Sequence, residues 1–243
     1  MTKQRIDILL VKRGLVESQA KAQAMVMAGE VVVEGTAVTQ AGTLVNEEAA
    51  ITIVAPPPFV SRGGIKLAYA LDQLQLDVSD KVAADIGAST GGFTDCLLQR
   101  GARRVYAIDV GRGQLDYRLR QDPRVVVVEG ANARYSLALP ERVDLATIDV
   151  SFISVEKVIP PVAQLVKDGG YLVVLIKPQF EARRREVGKG GIIRVPLIHA
   201  RVLGRFVAWL TGQNLRLGGL LSSPLLGASG NREFFVVLRL ETK

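Results

Sequence analysis

Two residue types that build many active sites are almost missing from this 243-residue chain, which has one cysteine, Cys96, and one histidine, His199. No internal disulfide can form, and too few thiolate and imidazole ligands exist for a structural zinc site. A histidine-based triad finds no support, because nothing places a nucleophile beside His199. Cys96 reads as a small core residue and His199 as a structural residue on a helix. Long apolar runs are missing as well. The longest uncharged stretch, Leu217 to Asn231, holds polar residues and a proline, so no membrane span is expected. The first residues, MTKQRIDILLVKRG, have no signal-type apolar core and are interrupted by Asp7. A cytoplasmic protein that does not engage membranes is the expectation.

What is present points to a folded protein with a polyanionic partner. Hydrophobic residues make up 48% of the chain, enough for a core. The net charge is +7, and its placement matters more than its size. Residues 181–243 hold eleven basic and four acidic side chains, which accounts for the whole surplus. EARRREVGKGG is the densest part, and a basic stretch of this kind suits nucleic acid or a solvated surface. Its GKGG segment fails the spacing of a phosphate-binding P-loop.

APPPF at 55–59 is the clearest punctuation, since three prolines end any helix or central strand. The chain divides there into an N-terminal module at 1–55, a linker at 56–60 and a larger domain at 61–243. In the module, Ile6, Leu9 and Leu10 recur at helical spacing until Gly14. Ser18 is placed to cap a second helix that Gly29 closes, and VVVEG and AITIV read as short strands. This α+β arrangement, and the run LLVKRGLVESQAKAQAMVMAGEVVVEG, resemble the RNA-binding domain named for ribosomal protein S-four. The resemblance implies that Lys3, Arg5, Arg13 and Lys21 grip RNA phosphates.

Beyond the linker, KVAADIG, RVYAIDV, RVVVVEG, VDLATIDV and YLVVLIKP are β-branched runs separated by helix-length segments. That pattern predicts a doubly covered parallel sheet of an α/β fold. LRLGGLLSS and EFFVVLRLE follow without a helix between them and predict an antiparallel pair at the sheet edge. The turn DIGASTGGFT lies between the first strand and a helix start, a ligand-binding position in such sheets. Asp109, at the end of the second strand, can accept from both hydroxyls of a ribose. A dinucleotide needs G-x-G-x-x-G, and here Gly87 is followed by Ala88, Ser89, Thr90, Gly91 and Gly92. The turn therefore suits S-adenosylmethionine, with Asp85 as the acid for its amino-acid end and Asn132 as an adenine reader. Asn132 can equally cap a turn.

Three charges stand beside apolar strands, Asp149 after LATI, Lys177 after LVVLI and Glu233 before FFVVL, and Lys66 in SRGGIKL lies on a helix that can reach over their edge. The predicted topology brings them to the edge that carries the glycine turn. They match the Lys-Asp-Lys-Glu tetrad of FtsJ-like RNA 2′-O-methyltransferases. The words VSRGGIKL, DIGASTGGFTDCLLQRGA, DVGRGQL, DPRVVVVEGANAR, IDVSFIS, LIKPQFE and SGNREFF are similar to those of the hemolysin-A-like (TlyA) ribosomal RNA methyltransferases, over nearly the whole chain. One departure is the joint APPPFV, which lacks the Arg and Trp some members carry before VSRG.

The resemblance implies a Rossmann-like class I methyltransferase sheet, mostly parallel with one antiparallel strand. It also implies S-adenosylmethionine as cofactor and a cytidine ribose of ribosomal RNA, free or in ribosomal subunits, as substrate. Lys177 would stand beside the 2′-hydroxyl, as a base or as an orienting group. Asp149 would fix that lysine, and Lys66 and Glu233 would hold the ribose. Arg62 and Arg183, Arg184 and Arg185 are expected on the RNA backbone. The competing readings are a non-catalytic RNA-binding ribosome assembly factor that keeps the fold and a membrane-active hemolysin. The second lacks a signal, a span and a lytic amphipathic segment.

Overall fold

The helical spacing of Ile6, Leu9 and Leu10 is realised in a computed structural model of the chain, which describes residues 2–54 and 57–241. Ala55 and Pro56, part of the proline joint, lie outside the described residues. The chain separates into two units, Met1–Pro58 and Phe59–Lys243.

In the first unit, β1 (Lys3–Arg5) leads into α1 (Ile6–Lys12), and α2 (Gln19–Met27) follows. The Ser18 hydroxyl caps α2 by accepting from the Lys21 amide at 3.3 Å. Gly14 and Gly29 close the two helices with φ of +69° and +76°, a region glycine enters without steric cost. Strands β2 (Val31–Val33), β3 (Thr36–Val38) and β5 (Ile51–Ile53) form one small antiparallel sheet in the order β3-β2-β5, and β4 (Leu44–Asn46) pairs with β1. Both VVVEG and AITIV thus hold strands, while β1, β3 and β4 are additions the sequence pattern does not announce. Ile6, Leu9, Leu10, Ala22, Val26 and Val31 make the centre of a small core. Beneath it Asp7 is wholly buried and accepts from Arg5 Nη2 (2.8 Å), Gln23 Nε2 (2.9 Å) and Gln19 Nε2 (3.2 Å). One acid thereby ties α1 to α2, and the Arg5 guanidinium beside it holds its carboxyl well below the usual range.

The second unit opens with α3 (Arg62–Gln73), then β6 (Val82–Ile86), α4 (Gly92–Gln99), β7 (Arg104–Asp109), α5 (Tyr117–Gln121) and β8 (Val125–Glu129). β9 (Val143–Ile148), α6 (Ile159–Ala163), β10 (Val166–Ile176), α7 (Pro178–Glu181), α8 (Pro196–Leu210), β11 (Leu215–Ser222) and β12 (Phe234–Leu240) complete it. The seven strands lie in the order β11-β12-β10-β9-β6-β7-β8. β12 runs antiparallel to both its neighbours, and all other pairings are parallel.

The apolar strands alternate their side chains between two layers. Leu172, Val174 and Ile176 of β10 pack with Val202, Phe206 and Leu210 of α8 on one face. Val173 and Leu175 pack with Leu67 and Leu71 of α3 and Leu97 of α4 on the other. Cys96 is buried in this second layer, with its thiol pushed up to about 12 by burial. His199 sits on α8, edge-on to Phe234 at 5.7 Å between ring centres. Among the described residues, no helix is long and apolar enough to cross a membrane.

The chain runs outward from β6 to β7 and β8, then returns to place β9 on the other side of β6. That reversal opens a crevice at the carboxyl ends of the central strands, where such sheets bind ligands.

Candidate active site

The turn from β6 to α4 forms the floor of this crevice. Gly87 and Gly91 have φ of +83° and +96°, and a Cβ on Gly87 would collide with the Asp149 carbonyl oxygen. A Cβ on Gly92 would meet the Ser61 hydroxyl and the Gly64 amide at the start of α3. The glycines therefore let three chain segments approach closely. Ser89 is also left-handed, with φ +48°, a strain of roughly 1 kcal/mol of the sort that collects at ligand turns.

Asp109 organises the turn from the next strand. Its carboxylate accepts from the Ser89 amide at 2.8 Å and the Gly111 amide at 2.7 Å, at the rim of a cleft of about 610 Å³. That volume is ordinary for a small-molecule site. Asp109, Gln114, Asn132, Asp149, Ser151 and Phe152 contribute to its lining. Asn132 is exposed to the cleft, and its Oδ1 accepts from the Arg134 amide at 3.0 Å, so it caps a turn while lining the cleft. A smaller pocket of about 150 Å³ adjoins, lined by Ser61, Lys66, Ser89, Thr90, Gly92 and Asp149 among others.

Asp85 departs from expectation. It is completely buried and lines neither cavity. Thr94 Oγ1 donates to it at 2.7 Å and Thr147 Oγ1 at 2.9 Å. In this structure it braces the turn from beneath, joining β6, α4 and β9, and does not reach ligand space. Burial pushes its carboxyl up from 3.8 to about 6, against the two threonine hydrogen bonds. The folded chain thus holds this proton more tightly than the unfolded one. The associated stability is complete below about pH 4 and is lost as pH rises through about 6. Asp85→Asn is expected to flatten that part of a thermal-stability profile; a wild-type slope in the variant would refute the assignment.

The four charges converge as two ion pairs. Lys66 Nζ lies 2.6 Å from Glu233 Oε2, with both side chains nearly buried. Lys177 Nζ lies 2.6 Å from Asp149 Oδ1. Each pair joins distant sequence: α3 to the start of β12, and the end of β10 to the end of β9. Pro178 restricts Lys177 to extended backbone (φ −109°, ψ 99°), which fixes where that side chain leaves the strand.

Residues 59–240 match the FtsJ-like methyltransferase family. The chain belongs to that family. Residues 4–51 match the S4 domain. A 16S/23S rRNA (cytidine-2′-O)-methyltransferase, TlyA of Mycobacterium tuberculosis, is 41% identical over 98% of this chain and 90% of its own. Hemolysin A of Brachyspira hyodysenteriae is 40% identical over 95% of this chain and 97% of its own. A solved hemolysin candidate from Streptococcus thermophilus superposes with a TM-score of 0.76 at 42% identity, covering 100% of this chain and 90% of that one.

In this FtsJ-like methyltransferase the expected RNA-contacting residues divide. Arg183, Arg184 and Arg185 are exposed on a single 3-10 turn, pinned where the Arg183 amide donates to Glu186 Oε2 at 2.8 Å. Arg62 is exposed and donates to the Leu226 carbonyl at 2.7 Å. Lys3 is exposed, and Lys21 is exposed while paired with Glu17 at 2.7 Å. Arg13 is otherwise committed: its guanidinium donates to the Ala49 carbonyl at 2.7 Å and to the Glu47 carbonyl, so it holds a loop. Arg5 is partly exposed, and its guanidinium donates to both carboxylate oxygens of Asp7, from Nε at 3.1 Å and Nη2 at 2.8 Å.

Several residues escape the sequence reading. Ser151 accepts from Lys177 Nζ at 2.9 Å. Phe152 is 91% exposed, lines the larger cleft, and has its ring 5.0 Å from that of Phe180. Asn231 is buried and ties two loops together by accepting from the Ile193 amide (2.9 Å) and donating to the Gly191 carbonyl (2.8 Å). The only signal for Ser151 and Phe152 is position, two and three residues after the acid that follows an apolar strand.

Proposed function

We propose that this chain transfers a methyl group from S-adenosylmethionine to the 2′-hydroxyl of a cytidine in ribosomal RNA. The observation that carries this is the meeting of the Lys66–Glu233 and Lys177–Asp149 pairs beside the glycine-floored cleft. The relatives' activity and the family match support the same reading.

The residues fit the cofactor. Asp109 and Asn132 flank the space for a ribose and an adenine edge, and the close-packed turn through Gly87, Ser89, Thr90, Gly91 and Gly92 presents backbone to the amino-acid end. When bound, S-adenosylmethionine supplies a sulfonium-activated methyl with a neutral leaving group. The chain must then position one hydroxyl and manage one proton. Paired with a carboxylate, Lys177 presents an ammonium that donates to the 2′-oxygen and leaves a lone pair facing the methyl. Asp149 anchors that lysine at the junction of the two pockets, and Lys66 with Glu233 holds the ribose. The hydroxyl proton is released to solvent once the oxygen carries the methyl.

The exposed Phe152 ring suits an unstacked base, as RNA-modifying proteins stack bases on aromatic faces. Arg62, Arg183, Arg184 and Arg185 supply cations for the backbone, and the S4 domain supplies a second RNA contact through Lys3 and Lys21. An rRNA substrate carries with it a cytoplasmic location. The intact tetrad favours turnover over the assembly-factor reading.

The test is transfer of labelled methyl to ribosomal subunits lacking the modification, mapped by resistance of the ribose to alkaline cleavage. An alkali-resistant cytidine is the expected product. Cofactor binding without label on either subunit would sink the proposal.

A further inference from the structure

We infer that Ser151 is a positioning residue that aims Lys177; this rests on the proposed methyl transfer. The two partners of Lys177 hold it in different ways. Asp149 Oδ1 lies 2.6 Å from Nζ, yet this buried oxygen makes no directed hydrogen bond among the described residues. Its hold is that of a close pair of opposite charges. The directed bond goes to Ser151, whose Oγ accepts from Nζ at 2.9 Å. An ammonium has three N–H vectors at fixed tetrahedral angles. Spending one on a fixed acceptor, with the stem held by the pre-proline backbone, restricts where the others point. Both partners, Asp149 and Ser151, line the larger cleft, so the ammonium is held at its edge.

Ser151 is a credible fixed point because its loop is held from the far side. Ser154 Oγ donates to Glu181 Oε2 at 2.6 Å, and the Val155 amide donates to Glu181 Oε1 at 2.9 Å. Glu181 lies on α7, the short helix that begins directly after Lys177. The lysine and its acceptor are thus fastened to one another twice, once by their own bond and once through Glu181. Without the serine acceptor, Asp149 still keeps the ammonium in the site, but one partner instead of two sets its direction. Small errors of aim are costly in a transfer that needs in-line geometry.

The experiment compares wild type, Ser151→Ala, Ser151→Cys and Ser151→Thr in the full chain. It reads kcat and KM for methyl transfer to unmodified subunits and the Kd of S-adenosylhomocysteine by calorimetry. Expected is a fall in kcat of about 10- to 100-fold for Ser151→Ala, with KM and Kd within about threefold. Ser151→Cys should fall as far, because a thiol is a weak acceptor, and Ser151→Thr should recover most of the rate. An alanine variant with wild-type kcat would overturn the inference, as would a loss confined to Kd, which would make Ser151 a cofactor contact. A wild-type protein that methylates neither subunit would overturn the proposed function itself, a result distinct from either.

Discussion

Lys177→Ala is expected to lower kcat by about 10³-fold while leaving S-adenosylhomocysteine affinity within roughly threefold. The asymmetry follows from where the lysine sits. Its Nζ contacts Asp149 and Ser151, which line the larger cleft, but Lys177 itself lines neither that cleft nor the smaller pocket beside it. Truncation removes the donor proposed for the 2′-oxygen, an interaction that matters as the methyl moves. It also leaves the buried Asp149 oxygen without its counter-charge, so some loss of thermal stability accompanies the loss of rate. Single-turnover methylation at saturating cofactor, beside calorimetric titration, separates the two. A variant that keeps more than a tenth of the wild-type rate would remove Lys177 from the chemistry. One that loses cofactor binding in proportion to rate would recast it as part of the cofactor site.

Asp7→Ala is expected to destabilise the N-terminal unit by about 3 kcal/mol, roughly a hundredfold in its folding equilibrium. The acid is fully buried and receives hydrogen bonds from one arginine and two glutamines on two helices. Without it, Gln19 and Gln23 lose their partner beneath the small core, and a unit of this size has little stability in reserve. The same pairing predicts the acid response. A carboxyl held below its ordinary range stabilises fully above about pH 4, and that contribution is lost as pH falls through the depressed value. Hydrogen exchange of the full chain reads both effects, since amides of α1 and α2 should lose protection in the variant while those of the strands β6 to β12 do not. Unchanged protection in α1 and α2 would show that Asp7 is replaceable by solvent.

Much of the architecture is legible because strand and helix periods are local signals. The antiparallel return and the caps at Ser18, Gly14 and Gly29 are written in neighbouring residues. Asp149, Lys177 and Glu233 stand out in the sequence for a different reason: a charge at the end of an apolar strand is costly unless it is paired, as these are in the fold. Asp85 shows the limit of that logic. As an acid at a strand end it reads like a ligand contact, yet Thr147 lies 62 residues away and reaches it only once β9 has docked on β6. Arg13 has partners that its sequence neighbourhood does not show, since the carbonyls of Glu47 and Ala49 reach it only through the fold. Ser151 is marked only by its place two residues after Asp149, because a serine in a loop stands out only once a lysine from another strand is set beside it.

The placement of β12 bears on how the protein is made. It is the last strand of the sheet to be synthesised, yet it lies inside the sheet, between β10 and β11. Until Phe234–Leu240 has left the ribosome, β10 has an open hydrogen-bonding edge lined by Leu172, Val173, Val174 and Leu175, and Lys66 has no counter-ion. A nascent chain halted before that point is therefore prone to pair edge-to-edge with other chains, the familiar route to aggregation. Translation of this enzyme is safe only when it is complete.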